Sequence, residues 1–111
     1  MIAATPEPPY TAVVFTSGRT AGDDDGYAVM ASRMAELASL QPGYLGMEAA
    51  REDGLGVTVS YWVDDGDALA WKQVAEHLGA QRLGRDRWYR EYRVRVATVH
   101  RDYGDRGWSG S

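Results

Sequence analysis

The spacing of apolar and polar positions changes several times along the chain, and each change marks an element. Val57, Val59, Tyr61 and Val63 alternate with Thr58, Ser60 and Trp62, a period of two that predicts a strand with side chains to cover on both faces. Asp64, Asp65 and Gly66 break the run, and Asp67 stands where it can cap a following helix. Beyond it Ala68, Trp71, Val74, Ala75 and Leu78 fall on one stripe at about 100° per residue. A strand therefore hands over, through a short acidic turn, to a helix whose largest inward side chain is Trp71.

The same reading extends to the rest of the chain. Residues 1–9 contain Pro6, Pro8 and Pro9 and read as an extended, poorly ordered lead-in. Tyr10 to about Ser17 is a strand with Val13 and Phe15 on one face and Ala12 and Val14 on the other. Asp23, Asp24 and Asp25 offer a cap and favourable charge for a helix from about Asp25 to Leu40. Its stripe is Tyr27, Met30, Met34 and Leu37, and Pro42 and Gly43 stop it. Met30 and Met34 are core filling. Tyr44 to about Arg51 is a strand joined by an Asp53-Gly54 hairpin turn to the one described first. Residues 88–99 form the last strand, with Tyr92, Val94, Val96 and Thr98 against Arg93, Arg95, Ala97 and Val99. After Arg101 no regular period survives.

The order βαββαβ in one small chain predicts an α+β fold, the ferredoxin-like split βαβ plait, with an antiparallel sheet and both helices on one face. With 111 residues, the chain reads as a single domain over 1–111, its core about 10–100. The face without helices carries apolar side chains too, so it calls for a second layer. A net charge of −4 gives no help to a polyanion, and nucleic acid is not an expected partner. There is no cysteine, so disulfide and thiolate chemistry are excluded and a cytoplasmic setting is expected. Two histidines, His77 and His100, leave little material for a metal site. The opening MIAATPEPPY carries no secretory pattern, and no stretch has the length of a membrane span.

The segment SYW, its acidic turn, the alanine-rich helix with Trp71, then EHLGAQ, GRDRWY and a valine-rich last strand resemble the antibiotic biosynthesis monooxygenase family over residues 10–100. That family holds cofactor-free quinone-forming oxygenases and haem-degrading enzymes. The resemblance implies a homodimer, two sheets paired face to face into a dimeric α+β barrel, with a pocket in each subunit between sheet and helices. It also implies that Trp71, besides any packing role, faces the pocket where a flat ring can hold a planar substrate. Haem-degrading members place their histidine ligand ten residues after the helical tryptophan, which here is Gln81, a poor axial ligand. Their first strand also offers an asparagine, where this strand has Phe15, Thr16 and Ser17. A haem protein with altered ligation, through His77, is one alternative; a non-catalytic binding protein for an aromatic ligand is another.

His77 lies on the flank of the apolar stripe. It is either a solvent-exposed or hydrogen-bonded side chain, or a general base, since a neutral imidazole is poised to take a proton from an acidic phenol. In GRDRWYREY, the residues Tyr89, Arg90 and Tyr92 belong either to an edge-strand surface or to the cavity, where arginine stabilises a substrate oxyanion. Simple alternation puts Tyr89 and Tyr92 on opposite faces, and Tyr61 and Trp62 divide likewise. The leading expectation is a cofactor-independent monooxygenase acting on a small electron-rich aromatic or polyketide-like compound with dioxygen. Its catalytic residues are His77 and Trp71, and its substrate-binding residues are Phe15, Ser17, Trp62, Gln81, Tyr89, Arg90 and Tyr92, without metal or other cofactor.

Overall fold

The computed structural model describes residues 2–20, 22, 24–76 and 89–104. The elements run β1 (Tyr10–Arg19), α1 (Asp24–Ser39), β2 (Tyr44–Glu52), β3 (Leu55–Trp62), α2 (Asp65–Ala75) and β4 (Tyr89–Val99). The four strands form one sheet in the order β2-β3-β1-β4, and every neighbouring pair is antiparallel. This is the ferredoxin-like plait, in which strands β1 and β2, joined by α1, are split apart by β3.

Directly opposed residues share a face, so the register assigns every side chain. Val13 pairs with Ser60 and Val96, and Thr11 pairs with Trp62 and Thr98. These residues, together with Phe15, Thr58 and Val94, look toward the helices. The core there is Val13, Ala38, Trp62, Ala68 and Trp71, flanked by Met34, Leu37, Tyr44, Met47, Val74 and Val94. Of the two methionines expected as core filling, Met34 packs against this core, as does Leu37 of the same stripe, whereas Met30 does not. Trp62 is 0% exposed and stacks on Trp71 at 5.8 Å between ring centroids and 21° between planes. Tyr44 meets the Trp62 ring edge-on, and the Trp62 indole N–H donates to Ser60 Oγ at 2.9 Å.

Local chemistry fixes the connections. The β2–β3 turn places Asp53 at φ 52° and Gly54 at φ 81°, the backbone of a two-residue hairpin that matches strand twist. α1 ends in tightened bonds from Leu40 N–H to Leu37 O and Gln41 N–H to Ala38 O, then Gly43 turns the chain at φ 81°. A Cβ at Gly43 would overlap the Asp67 carboxylate, so only glycine fits. The cap of α2 is Asp64 rather than Asp67: Asp64 is extended, and its Oδ1 accepts from the Asp67 N–H at 2.9 Å. A capping carboxylate reaches the N–H three residues on, so the helix starts a turn earlier than the sequence pattern implied. Asp65 then leans on the sheet, where Thr11 Oγ1 donates to its Oδ1 at 2.9 Å.

The other face of the sheet carries Val14, Val59, Val57 and Leu55 at its centre. β2 places Glu48, Ala50 and Glu52 along one side, and β4 places Arg93 and Arg95 along the other. The lead-in is irregular but attached, because the Ala3 N–H donates to Glu48 Oε2 at 2.9 Å. The Tyr10 hydroxyl donates to Asp102, so the segment after β4 is tied to the start of β1.

Candidate functional site

One irregularity in β4 decides which rings meet. Ser17 pairs with Tyr92 and Gly18 with Glu91, but Arg19 pairs with Tyr89, so Arg90 is the extra residue of a bulge. A bulge shifts the alternation by one. Tyr89 and Tyr92 therefore share the helix-covered face, 6.2 Å apart, which corrects the simple alternation that separated them. Both meet Phe15, at 5.4 and 5.6 Å, and Tyr27 of α1 meets Tyr89 edge-on at 6.0 Å. Arg90 falls on the opposite side with Glu91, close to where a Cβ on Gly18 would lie. The register therefore removes Arg90 from this ring cluster.

Two arginines complete the cluster. Arg19 stands over the Tyr27 ring at 4.0 Å and Arg51 at 5.2 Å. Arg51 pairs with Gly56 across the hairpin, and a Cβ at Gly56 would overlap its guanidinium. The missing side chain lets Arg51 lie across β3 and reach β1, where Nη2 donates to Ser17 Oγ at 2.5 Å. Its Nη1 donates to Gly54 O at 3.0 Å. Burial pushes the Tyr89 phenol above its ordinary value, and the neighbouring charge and hydrogen bond of Tyr27 add to this; Arg51 and Arg19 pull the other way. Tyr89 is thus a neutral donor at neutral pH, beside two cations that favour its oxyanion.

The expected site residues therefore separate. Phe15, Ser17, Tyr89 and Tyr92 come together. Trp62 faces the helices, as Tyr61 does not, but its ring is sealed between Trp71 and Tyr44 and its N–H is occupied by Ser60. Trp71 is 8% exposed and belongs to the same stack. His77 and Gln81 lie outside the described residues. Sequence reasoning missed Arg19, Arg51 and Tyr27 as site residues. The Asp53-Gly54 turn carried the signal for Arg51, since a two-residue hairpin loop fixes Arg51 opposite Gly56.

A second polar cluster lies on the open face. Tyr10 and Tyr61 pack edge-on at 5.8 Å, and Tyr61 donates to Glu48 Oε1 at 2.8 Å. Burial first, then the bond to Glu48, pushes the Tyr61 phenol up to about 12. Tyr10 is also raised, by burial and by its bond to Asp102. Both groups serve as hydrogen-bond donors that fasten the lead-in and the end of β4.

Comparison with known proteins supplies the kinship. No family model matches the chain. YqjZ of Bacillus subtilis (strain 168), an uncharacterized protein, is 51% identical over 102 residues, covering 90% of this chain and 88% of that one. The chain belongs to the YqjZ family. Among solved structures, SnoaB, a cofactor-independent oxygenase from Streptomyces nogalater, superposes with a TM-score of 0.60 at 13% identity, covering 90% of this chain and 100% of that one. The heme-degrading protein Rv3592 from Mycobacterium tuberculosis gives a TM-score of 0.57 at 17% identity, over 88% and 100% of the two chains. The same fold recurs in putative antibiotic biosynthesis monooxygenases from Nitrosomonas europaea and Chloroflexus aurantiacus at similarly low identity.

The YqjZ-family chain thus shares its fold with oxygenases and with a haem-degrading protein. Among the described residues the one histidine is His100, which is exposed just beyond the end of β4. Among the described residues, no three His, Asp or Glu side chains converge on a metal position. No described helix is long and apolar enough to cross a membrane.

Proposed function

We propose that this protein is an oxygenase of planar, electron-rich aromatic compounds. The observation that carries the reading is the cluster of Phe15, Tyr27, Tyr89 and Tyr92 on the helix-covered face, with Tyr92 exposed at its edge. Rings on one face of a pocket grip a flat substrate by offset and edge contacts. The fold shared with SnoaB supports oxygenase chemistry. For an anthrone-like substrate the reaction balances without an external reductant. The methylene carbon becomes a carbonyl, one oxygen atom of dioxygen enters the product, and the other leaves as water with the two methylene hydrogens.

In this reaction the protein orients the substrate, excludes water and removes one proton, so that the resulting phenolate or enolate donates an electron to dioxygen. His77 is the proposed base, and Trp71 supports the pocket wall from the core. Replacing His77 by Asn lowers oxygen consumption by about 10²- to 10⁴-fold, and activity partly recovers as pH rises for a substrate that ionises unaided. Equal rates for wild type and variant would remove His77 from the mechanism.

The proposed assembly is a homodimer through the open sheet face. A two-fold axis along the strands sets β2 of one subunit over β4 of the other, bringing Glu48 and Glu52 toward the partner's Arg93 and the partner's Arg95. Val14 and Val59 then meet the partner's Val59 and the partner's Val14, with Val57 beside them, which supplies the second layer that an apolar sheet face needs.

A further inference from the structure

We propose that Arg51, laid across Gly56 and flanked by Tyr27 and Tyr89, is an anion-recognition end of the aromatic pocket, so that the substrate is a planar aromatic compound carrying an anionic oxygen. The inference deepens the oxygenase reading and rests on its pocket.

The geometry has the marks of a built site. Arg51 starts on β2, yet its guanidinium lies over β3, a position that needs glycine at residue 56. Ser17 Oγ and Gly54 O each accept one of its N–H groups, and the face of Tyr27 lies above it at 5.2 Å. All of these partners are neutral. Among the described residues Arg51 meets no carboxylate, although its side chain is half-buried on the face that carries the rings. Removing a cation from water without a counter-charge is costly, and an anionic ligand offsets that cost. A guanidinium fixed by two acceptors keeps further N–H groups for a planar oxyanion, which it recognises better than an ammonium does. Tyr89, kept neutral by burial and hydrogen-bonded to Tyr27, walls the same side. Phe15 and Tyr92 extend the ring surface from this point along the sheet, so a ligand anchored by its oxygen at Arg51 lays its rings on theirs.

The test uses matched naphthalene probes, with binding read by calorimetry on the full chain. 2-Naphthoate carries a carboxylate, 2-naphtholate at pH 10 carries a ring oxyanion, and 2-naphthamide is the neutral control. Wild type is expected to bind at least one of the anions about 10- to 100-fold more tightly than the amide. The tighter anion distinguishes a carboxylate from an ionised ring oxygen. Arg51→Gln is expected to erase the preference and keep the amide affinity, while Arg51→Lys retains part of it. Gly56→Ala, which keeps the charge but displaces the guanidinium, is expected to lose the preference as well. Equal affinity for anions and amide in wild type, or a preference that survives Arg51→Gln, overturns this inference and leaves the oxygenase reading standing. Failure of all three probes to bind overturns the aromatic pocket and this inference together.

Discussion

Replacing Trp62 by alanine tests whether the indole pair is the structural core rather than a ligand wall. The side chain is fully buried, and an indole buries roughly 200 Å². At about 25 cal/mol per Å² that burial contributes ~5 kcal/mol as an upper bound, and large aromatic-to-alanine changes cost about 3–5 kcal/mol. Losing the bond from the indole N–H leaves the buried Ser60 hydroxyl without this donor, a further cost of about 1 kcal/mol. A chain of this size has an unfolding entropy of about 0.23 kcal/mol per kelvin, so the melting temperature falls by about 17–26 °C. Trp71→Ala loses a comparable amount, and the double variant loses about 1 kcal/mol less than the two single variants together, because their stacking is then counted once. Differential scanning calorimetry of the four proteins completes the cycle. A Trp62→Ala shift below about 4 °C, or strict additivity, would refute the core assignment.

Asp64→Ala removes the helix cap and is expected to cost about 1 kcal/mol, whereas Asp67→Asn costs a few tenths; equal losses in a urea titration would put the cap back at Asp67. Alanine at Gly43 combines a positive φ with overlap on Asp67, so its melting temperature should fall by at least about 5 °C. The Tyr61 phenol is raised to about 12 in the fold against about 10 when unfolded. The folded state holds that proton more tightly, so the stabilisation is complete below pH about 10 and is lost as pH rises toward about 12. Alkaline titration of stability should therefore be shallower for Tyr61→Phe than for wild type, and identical slopes would contradict the assignment. Reversing Arg93 and Arg95 to glutamate should weaken the dimer at least about tenfold by light scattering, with Glu52→Arg restoring part of it; an unchanged dimer constant would exclude the proposed pairing of β2 with β4.

The elements were legible because their signals are local. Alternation from Val57 to Trp62, the Asp53-Gly54 turn, and the stripe through Ala68 and Trp71 each follow from backbone geometry within a few residues. The capping residue was misplaced because three aspartates stand within four positions, and only the packing of Asp65 on Thr11 selects Asp64. The site was less legible, since it depends on register across strands. One extra residue at Arg90 turns Tyr89 onto the face of Phe15 and Tyr92, and nothing in the spacing of tyrosines announces a bulge. Arg51 reads as an ordinary exposed end of a strand until Gly56 is seen opposite it. Tyr10 looks like the start of a buried strand, but its hydroxyl bond to Asp102 joins segments at the two ends of the chain.

The account stands or falls on whether this fold and ring cluster turn over a planar aromatic substrate with dioxygen. The most direct measurement is oxidation of anthrone-like and dihydroxyaromatic compounds under labelled dioxygen, with product analysed by mass spectrometry and oxygen uptake followed in parallel. The account predicts one labelled oxygen atom in the quinone formed from an anthrone, one dioxygen consumed per product, and a rate well above the buffer reaction. Tyr89→Phe combined with Phe15→Ala should slow that rate while the chain stays folded. Turnover at the buffer rate across the whole panel, or product without the label, would contradict it.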